Sequence, residues 1–427
     1  MFFIAVSDNI MKRGMIFMKL LEIYLKKHNK NMNQMHILSG LPKTSIRNLN
    51  EKTLDKWTMR HIDALSKTLN KDRQIVISEL EELISKNEHE IGRYHLQQRR
   101  YIGSKTKIID WIRDLAHEHV KGNSFLDLFA GTGIVSKEFM KDYNEIIIND
   151  FLYSNNIIYK AFFNTGDYSI KKLIEIKKQF NEINSRKYDD SYFEENYGGK
   201  YFSKFDAMKI GEIRERIELN KHINERERAI LIASLIYSAD NIANTVGHYD
   251  AYRKISDLNN RFKFDLINPI TDINSEINIF REDANNLVRQ VKADVAFIDP
   301  PYNSRQYSRF YHVLEGIAKW DKPELTGVAM KPPLENMSDY SKVSAVQKFD
   351  DLISNLNVKF IIVTYNNTYK PKSSSSKNKI THEQIIEILK KAGSTKQFEK
   401  PYKAFSTGKT SFDDHKEFVF ITEVGAF

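Results

Sequence analysis

Two hydrophobic periodicities share this chain, a helical one at its start and a strand-and-helix alternation from about residue 100 onward. From Met18 to His28 the apolar side chains Leu20, Leu21, Tyr24 and Leu25 fall on one helix face. Asn33 to Ser39 reads as a short helix halted by Gly40-Leu41-Pro42, and Lys43 to Leu49 as another. Thr58 to Leu69 and Asp72 to Ile84 supply two supporting helices, and the polar stretch Asn87-Glu88-His89-Glu90 marks a boundary. A small all-α domain is therefore expected over 18–88. Residues 1–17 read as a disordered leader or as residues ahead of the true start.

Beyond that boundary come apolar runs of the kind that make buried parallel strands: Ser124 to Phe129, Glu145 to Asp150 and Val295 to Ile298. Ala130-Gly131-Thr132-Gly133 follows the first as a tight turn into the helical pattern Ile134 to Phe139. Glu417 to Ile421 reads as a last strand. Between Phe151 and Ile279 the alternation lapses: Lys171 to Phe180, Phe205 to Leu219 and Glu225 to Asn241 read as helices, and Asp189 to Gly199 as loop. Ser373-Ser374-Ser375-Ser376, among lysines, reads as a flexible basic loop. No internal repeat is evident. The fold class is α/β, with a helical insertion and a small helical domain in front.

Chemistry enters at Asp299-Pro300-Pro301-Tyr302. A strand running into two prolines must stop, because proline fixes φ and cannot donate to a ladder. The carboxylate and the ring are thus delivered on a stiff turn at a strand's C-terminal end, where ligands sit in open α/β sheets. A rigid acceptor beside a flat ring suits a planar base bearing an amino group. The tetrapeptide alone reads equally well as a strand-ending turn with an incidental acid. Upstream, the glycine turn lets backbone approach a ligand, and Asp150 ends the next strand where ribose hydroxyls are usually met. That spacing favours a nucleoside-containing cofactor over a plain strand–helix turn.

Asp127-x-Phe129-x-Gly131-x-Gly133 together with Asp299-Pro300-Pro301-Tyr302 resembles the S-adenosylmethionine-dependent DNA amino-methyltransferases, specifically N6-adenine methylases of the Dam-like type. Arg100-Tyr101-Ile102-Gly103-Ser104-Lys105 resembles the cofactor motif ahead of the glycine turn, and Phe280-Arg281-Glu282-Asp283-Ala284 the acidic motif ahead of the catalytic strand. Phe360 to Asn367 looks like a late strand bordering the target pocket. Asn244 to Arg253 resembles a stretch of restriction-associated members. The match runs in order from about Arg99 to Ile421.

The resemblance implies a Rossmann-like methyltransferase domain over 89–427, with target recognition carried within 151–279. It implies that Asp299, Pro300, Pro301 and Tyr302 are catalytic: the carboxylate and the Pro300 carbonyl accept from the adenine amine, and Tyr302 stacks on the base. Asp127, Phe129, Gly131 and Gly133 would meet the cofactor's methionine part, with Tyr101 and Lys105 closing that site. Asp150 would hold the ribose and Asp283 the cofactor's adenine edge. Two departures touch the pocket: Asn149 stands beside Asp150, and Thr368 and Tyr369 follow the paired asparagines where an acid and a glycine are usual.

The N-terminal pair of short helices looks like a Cro/repressor-type helix-turn-helix, with Lys43, Thr44, Arg47 and Asn48 facing a major groove. A structural or dimerising bundle is the alternative. In the insertion, Tyr249, Tyr252, Arg253, Lys254, Arg261 and Lys263 suit DNA contact, against the alternative of a solvated helical lid. His248 reads as structural.

Composition narrows the chemistry. The chain has no cysteine, so methylation through a thiolate adduct is excluded, as are disulfides and Cys-based metal sites. This fits a reducing cytoplasm. Cytosine-N4 methylation stays as an alternative, although those enzymes more often carry Ser at the position of Asp299. A net charge of +9 suits a phosphate-bearing partner. No apolar stretch is long enough to span a membrane. The sequence-level reading is a site-specific DNA adenine methylase using S-adenosyl-L-methionine on duplex DNA with one flipped adenine. A cognate restriction endonuclease would be encoded separately. The competing reading is a DNA-binding regulator whose methylase fold is secondary.

Overall fold

A computed structural model describes residues 20–50, 52, 54–88, 91–255, 257–366, 379–401 and 416–425. The leader at 1–17, the serine run Ser373–Ser376 and the positions Asn367, Thr368 and Tyr369 lie outside the described residues. The chain forms two compact units, the second beginning at Ile91.

The first unit is helical. Its helices are Leu20–Lys27, Met32–Ser39, Lys43–Asn50, Met59–Leu69 and Arg73–Glu88. Asn31 and Gln34 form a reciprocal capping box that starts the second helix, at 2.9 and 3.0 Å. Gly40, at φ +76°, ends it in the left-handed region that a side chain resists. Leu21, Tyr24, Leu25, Met35, Ile46, Leu49 and Leu65 are among the side chains of the unit's own core.

The second unit is built on a seven-stranded sheet: β1 Ser124–Asp127, β2 Glu145–Asn149, β3 Glu276–Phe280, β4 Val295–Ile298, β5 Phe360–Asn366, β6 Gly393–Pro401 and β7 Lys416–Val424. Their spatial order is β3-β2-β1-β4-β5-β7-β6. The first five run parallel, and β7 lies antiparallel between β5 and β6. Strands that bury both faces read as continuous apolar runs, which is why β1, β2 and β4 stand out in the sequence. β3 and β6 occupy the edges and carry mixed side chains, and neither was anticipated. Two core clusters cover the two faces of the sheet, one around Phe125, Ile146 and Phe297, the other around Leu126, Ile147 and Ala296.

Helix Tyr153–Phe163 follows β2 and is buried along most of its length, so the departure from strand–helix alternation starts after residue 163 rather than at 151. Helix Glu225–Ile242 is buried on nearly every side and packs against it, so this stretch is core and not a solvated lid. The segment 189–199, anticipated as loop, contains helix Tyr192–Tyr197, whose Phe193 and Tyr197 are buried. Among the described residues no helix is long and apolar enough to cross a membrane.

Candidate active site

Strand order reverses on either side of the β1–β4 pair, where Asp127 lies opposite Phe297 and Leu128 N donates to Phe297 O at 3.1 Å. The crevice at such a reversal is where open α/β sheets take ligands. Asp127 ends one of these two strands and Asp299 follows the other.

The glycine turn after β1 is fixed from several directions. Gly131 and Gly133 sit at φ +54° and +74°, where glycine is favoured. A Cβ on Gly131 would come within 3.1 Å of the Tyr101 ring, and one on Gly133 within 3.1 Å of Tyr159. Gly131 N donates to Asp150 Oδ2 at 2.9 Å, and Leu152 N to Asp150 Oδ1 at 2.9 Å. Tyr159 Oη donates to Gly131 O at 2.8 Å. Asn149 is occupied otherwise: its amide spans Leu128 O and Glu282 O, both at 3.1 Å, and accepts from Glu282 N at 3.0 Å. Asn149 braces the strand tips, and Asp150 brings the carboxylate to the turn.

Asp127 is fully buried. Its Oδ2 accepts from Ser136 Oγ at 2.6 Å and Ser136 N at 3.1 Å, while Oδ1 is buried without a hydrogen-bond partner among the described residues. Burial pushes its carboxyl up to about 7, helped by the charges of Asp299 and Asp150 and opposed by the Ser136 bonds. A buried acceptor with no donor calls for a cationic or N–H-bearing ligand. The Asp150 carboxyl is likewise raised by burial, against its two backbone bonds.

Asp299 is half-buried between two partners. Lys105 Nζ lies 2.6 Å from Oδ2, and Thr364 Oγ1 on β5 donates to Oδ1 at 2.8 Å. Pro300 is buried behind it. Tyr302 is 7% exposed; its hydroxyl donates to Thr364 O, and its ring meets Tyr365 edge-on at 4.9 Å. Glu417 on β7, opposite Asn366 of β5, is a further buried carboxyl of this cluster. Burial pushes it up to about 7, with Lys105 opposing and Asp299 adding.

Tyr101 stacks flat on Tyr311, with centroids 5.0 Å apart, and the Arg99 guanidinium lies 5.0 Å from its ring. Tyr101 therefore borders the glycine turn while Lys105, four residues on, reaches the Asp299 carboxylate. Asp283 caps helix Ala284–Leu287 through Asn286 N at 3.2 Å. Phe129, half-buried, meets Tyr340 edge-on at 5.1 Å, and the Tyr340 hydroxyl donates to Asn285 Oδ1 at 2.8 Å. Tyr340 thus links the glycine-turn side to the helix that Asp283 caps. Thr364, Tyr311, Tyr340 and Glu417 were not singled out from sequence. Of these only Thr364 and Glu417 carried a signal, their places in the late strand and in the last one.

Of the residues expected to touch DNA, Tyr249 is corrected: it is 1% exposed, its hydroxyl donates to Asp240 Oδ1 at 2.9 Å, and its amide donates to Phe310 O at 2.7 Å. It is a core residue. Arg253 is exposed. In the first unit Lys43, Thr44, Arg47 and Asn48 are all exposed along one side of helix Lys43–Asn50, whose Ile46 and Leu49 point inward. A groove of about 400 Å³ there is lined by Asn31, Met32, Asn33, Lys43, Ile46 and Arg47.

A sequence model described as D12 class N6 adenine-specific DNA methyltransferase matches residues 101–371. The chain is 34% identical over 345 residues to the Type II methyltransferase M.FokI of Planomicrobium okeanokoites, covering 75% of this chain and 52% of that protein. It is 36% identical over 309 residues to Modification methylase StsI of Streptococcus sanguinis, covering 68% and 46%. With Type II methyltransferase M.NlaIII of Neisseria lactamica it shares 29% over 327 residues, covering 74% and 95%. The chain thus spans about half the length of the first two relatives and nearly all of the third.

Proposed function

Because the chain belongs to the D12 class N6 adenine-specific DNA methyltransferases, we propose that it methylates the N6 amine of adenine at a specific site in duplex DNA, as the modification activity of a restriction–modification system. A separately encoded endonuclease and a cytoplasmic setting belong to the same reading. The observation that carries it is the pairing of two strand tips at the sheet's switch point. One offers a buried, donor-less Asp127 oxygen, the other an Asp299 carboxylate held by Lys105 and Thr364.

The donor set fits S-adenosyl-L-methionine, which when bound supplies a methyl group activated on a sulfonium. Asp127 Oδ1 would accept from its ammonium, and the Gly131–Gly133 turn leaves backbone open to its methionine part. Asp150 would add a ribose contact to the bonds it already makes, with Asp283 and Phe129 toward the adenine edge. On the substrate side, Asp299 and the Pro300 carbonyl would accept from the adenine amine, steering its lone pair toward the methyl group, and Asp299 would take the proton released. Pro301 keeps the turn stiff, and Tyr302 offers the ring beside the base. Rate comes from positioning and electrostatics, without a protein nucleophile. The base must first leave the helix, at a cost of a few kcal/mol.

The test is transfer of a tritiated methyl group from the cofactor to unmethylated DNA, with Asp299→Ala as control. Label in wild type and none in the variant is the expected result, and equal label in both would sink the assignment. The exposed side chains Lys43, Thr44, Arg47 and Asn48 support a second DNA contact by the first unit, either on the methylated site or on an operator.

A further inference from the structure

Two short excursions of the chain are tied to each other. In one, Thr245 bridges to Tyr252; in the other, Thr326 bridges to Lys331 with both backbone hydrogen bonds at 2.9 Å. Each contains a glycine in the left-handed region, Gly247 at φ +105° and Gly327 at +71°, and a Cβ on either would meet nothing within 4 Å. Each presents an exposed valine, Val246 at 57% and Val328 at 79%. The two are joined at their bases. The hydroxyl of fully buried Tyr201 lies 2.6 Å from Tyr249 O and 3.0 Å from Ala329 O. Lys331 pairs with Asp250.

The pair is mounted on the segment that leads away from the catalytic turn. Tyr249 N donates to Phe310 O at 2.7 Å, His248 stacks on Phe310 at 4.7 Å, and His312 Nε2 lies 2.8 Å from Ala329 O. That segment also reaches the cofactor side: Ile102 N donates to the Tyr311 hydroxyl at 2.9 Å, and the Tyr307 hydroxyl donates to Ile102 O at 3.1 Å. Exposed Arg253, Lys254 and Arg305 belong to the same stretches.

We infer that these coupled tips form one two-pronged element that enters duplex DNA beside the target adenine, with Val246 and Val328 occupying the space the extruded base leaves. Apolar side chains without polar atoms are what separate base steps, and a stiff mount is needed to push them in. Valine is held in few rotamers. Two valine tips are far smaller than the roughly 1,000 Å² a specific protein partner needs, whereas the flanking cations match a phosphate backbone. The inference rests on the proposed adenine methylation.

Wild-type enzyme is first used to methylate unmethylated genomic DNA, and the modified site is mapped. Duplex oligonucleotides carrying that site are then prepared with thymine, or with an abasic position, opposite the target adenine. The double variant Val246→Ser/Val328→Ser should lose roughly tenfold or more in kcat/KM on the paired duplex and return to within about threefold of wild type on the abasic one, where extrusion is cheap. Tyr201→Phe, which uncouples the tips, should show a smaller loss with the same rescue. Equal losses on both duplexes, or none, overturn the prongs while leaving the methylase reading intact. A wild-type enzyme that labels no DNA overturns both. A double variant that binds DNA normally but no longer self-associates would assign the tips to a second copy instead, and so refute the inference.

Discussion

Lys105 Nζ lies 2.6 Å from Asp299 Oδ2, so the carboxylate proposed to grip the adenine amine already has a buried cationic partner. The same ammonium opposes the raised carboxyl of Glu417. Lys105→Met would remove the cation that opposes the raised carboxyl of Glu417, so that carboxyl should rise further. Methyl transfer at pH 7 should fall roughly tenfold to a hundredfold and recover in part toward pH 9. The kcat–pH profile measures this, and an acid limb that stays in place would refute the coupling.

Asp127 should make cofactor binding pH-dependent. Its folded carboxyl, at about 7, stands above the roughly 3.9 of an unfolded chain. Between those values the folded state holds more protons, so this group's contribution to stability is present below about 4 and lost as pH rises to about 7. An ammonium-bearing cofactor prefers the carboxylate, so its affinity should rise about tenfold per pH unit up to 7. It should then level off until the ligand's own amine titrates near 8. Calorimetric titration from pH 5.5 to 8.5 reads both limbs, and Asp127→Asn should weaken binding and flatten the acid one.

Gly131→Ala combines a φ of +54° with a Cβ 3.1 Å from the Tyr101 ring. Strain of this kind costs on the order of 1–3 kcal/mol, and here it falls on the turn proposed to meet the cofactor. Cofactor affinity should drop at least tenfold with little change in DNA affinity. Calorimetry for the first and gel shift for the second would separate them, and a parallel loss of both would point to general unfolding.

Tyr249 and Arg47 make a contrasting pair. Tyr249→Phe deletes a buried hydroxyl and leaves Asp240 short of a donor, which should cost about 1–3 kcal/mol in denaturant unfolding. DNA affinity should not change. Arg47→Ala, on an exposed helix face, should leave stability alone and reduce the salt slope of DNA binding by about one. An unaltered slope would return the first unit to a purely structural role.

The sequence revealed most where local physics settles structure. A glycine turn after an apolar strand and a strand stopped by two prolines can each be read within ten residues, and both stand at the switch point. Polar edge strands such as β6, with Ser394, Lys396 and Glu399 among its side chains, carry no run that separates them from loop. Tyr249 belongs to an aromatic, basic stretch that suggested an interface, but Asp240 and Phe310 draw it inward. Thr364 reaches Asp299 across 65 positions in the chain, and Glu417 comes from farther still. Such partners become visible only once the strands are paired.

The placement of β7 has a consequence for biosynthesis. The last of the seven strands to leave the ribosome occupies an interior slot, hydrogen-bonded to β5 on one side and β6 on the other. Until it is threaded in, both neighbours present open ladders of the sort that capture stray chains. Nascent polypeptide of this kind should lean on chaperones and gain protease resistance in one late step, when Glu417 arrives beside the finished Asp299–Tyr302 turn.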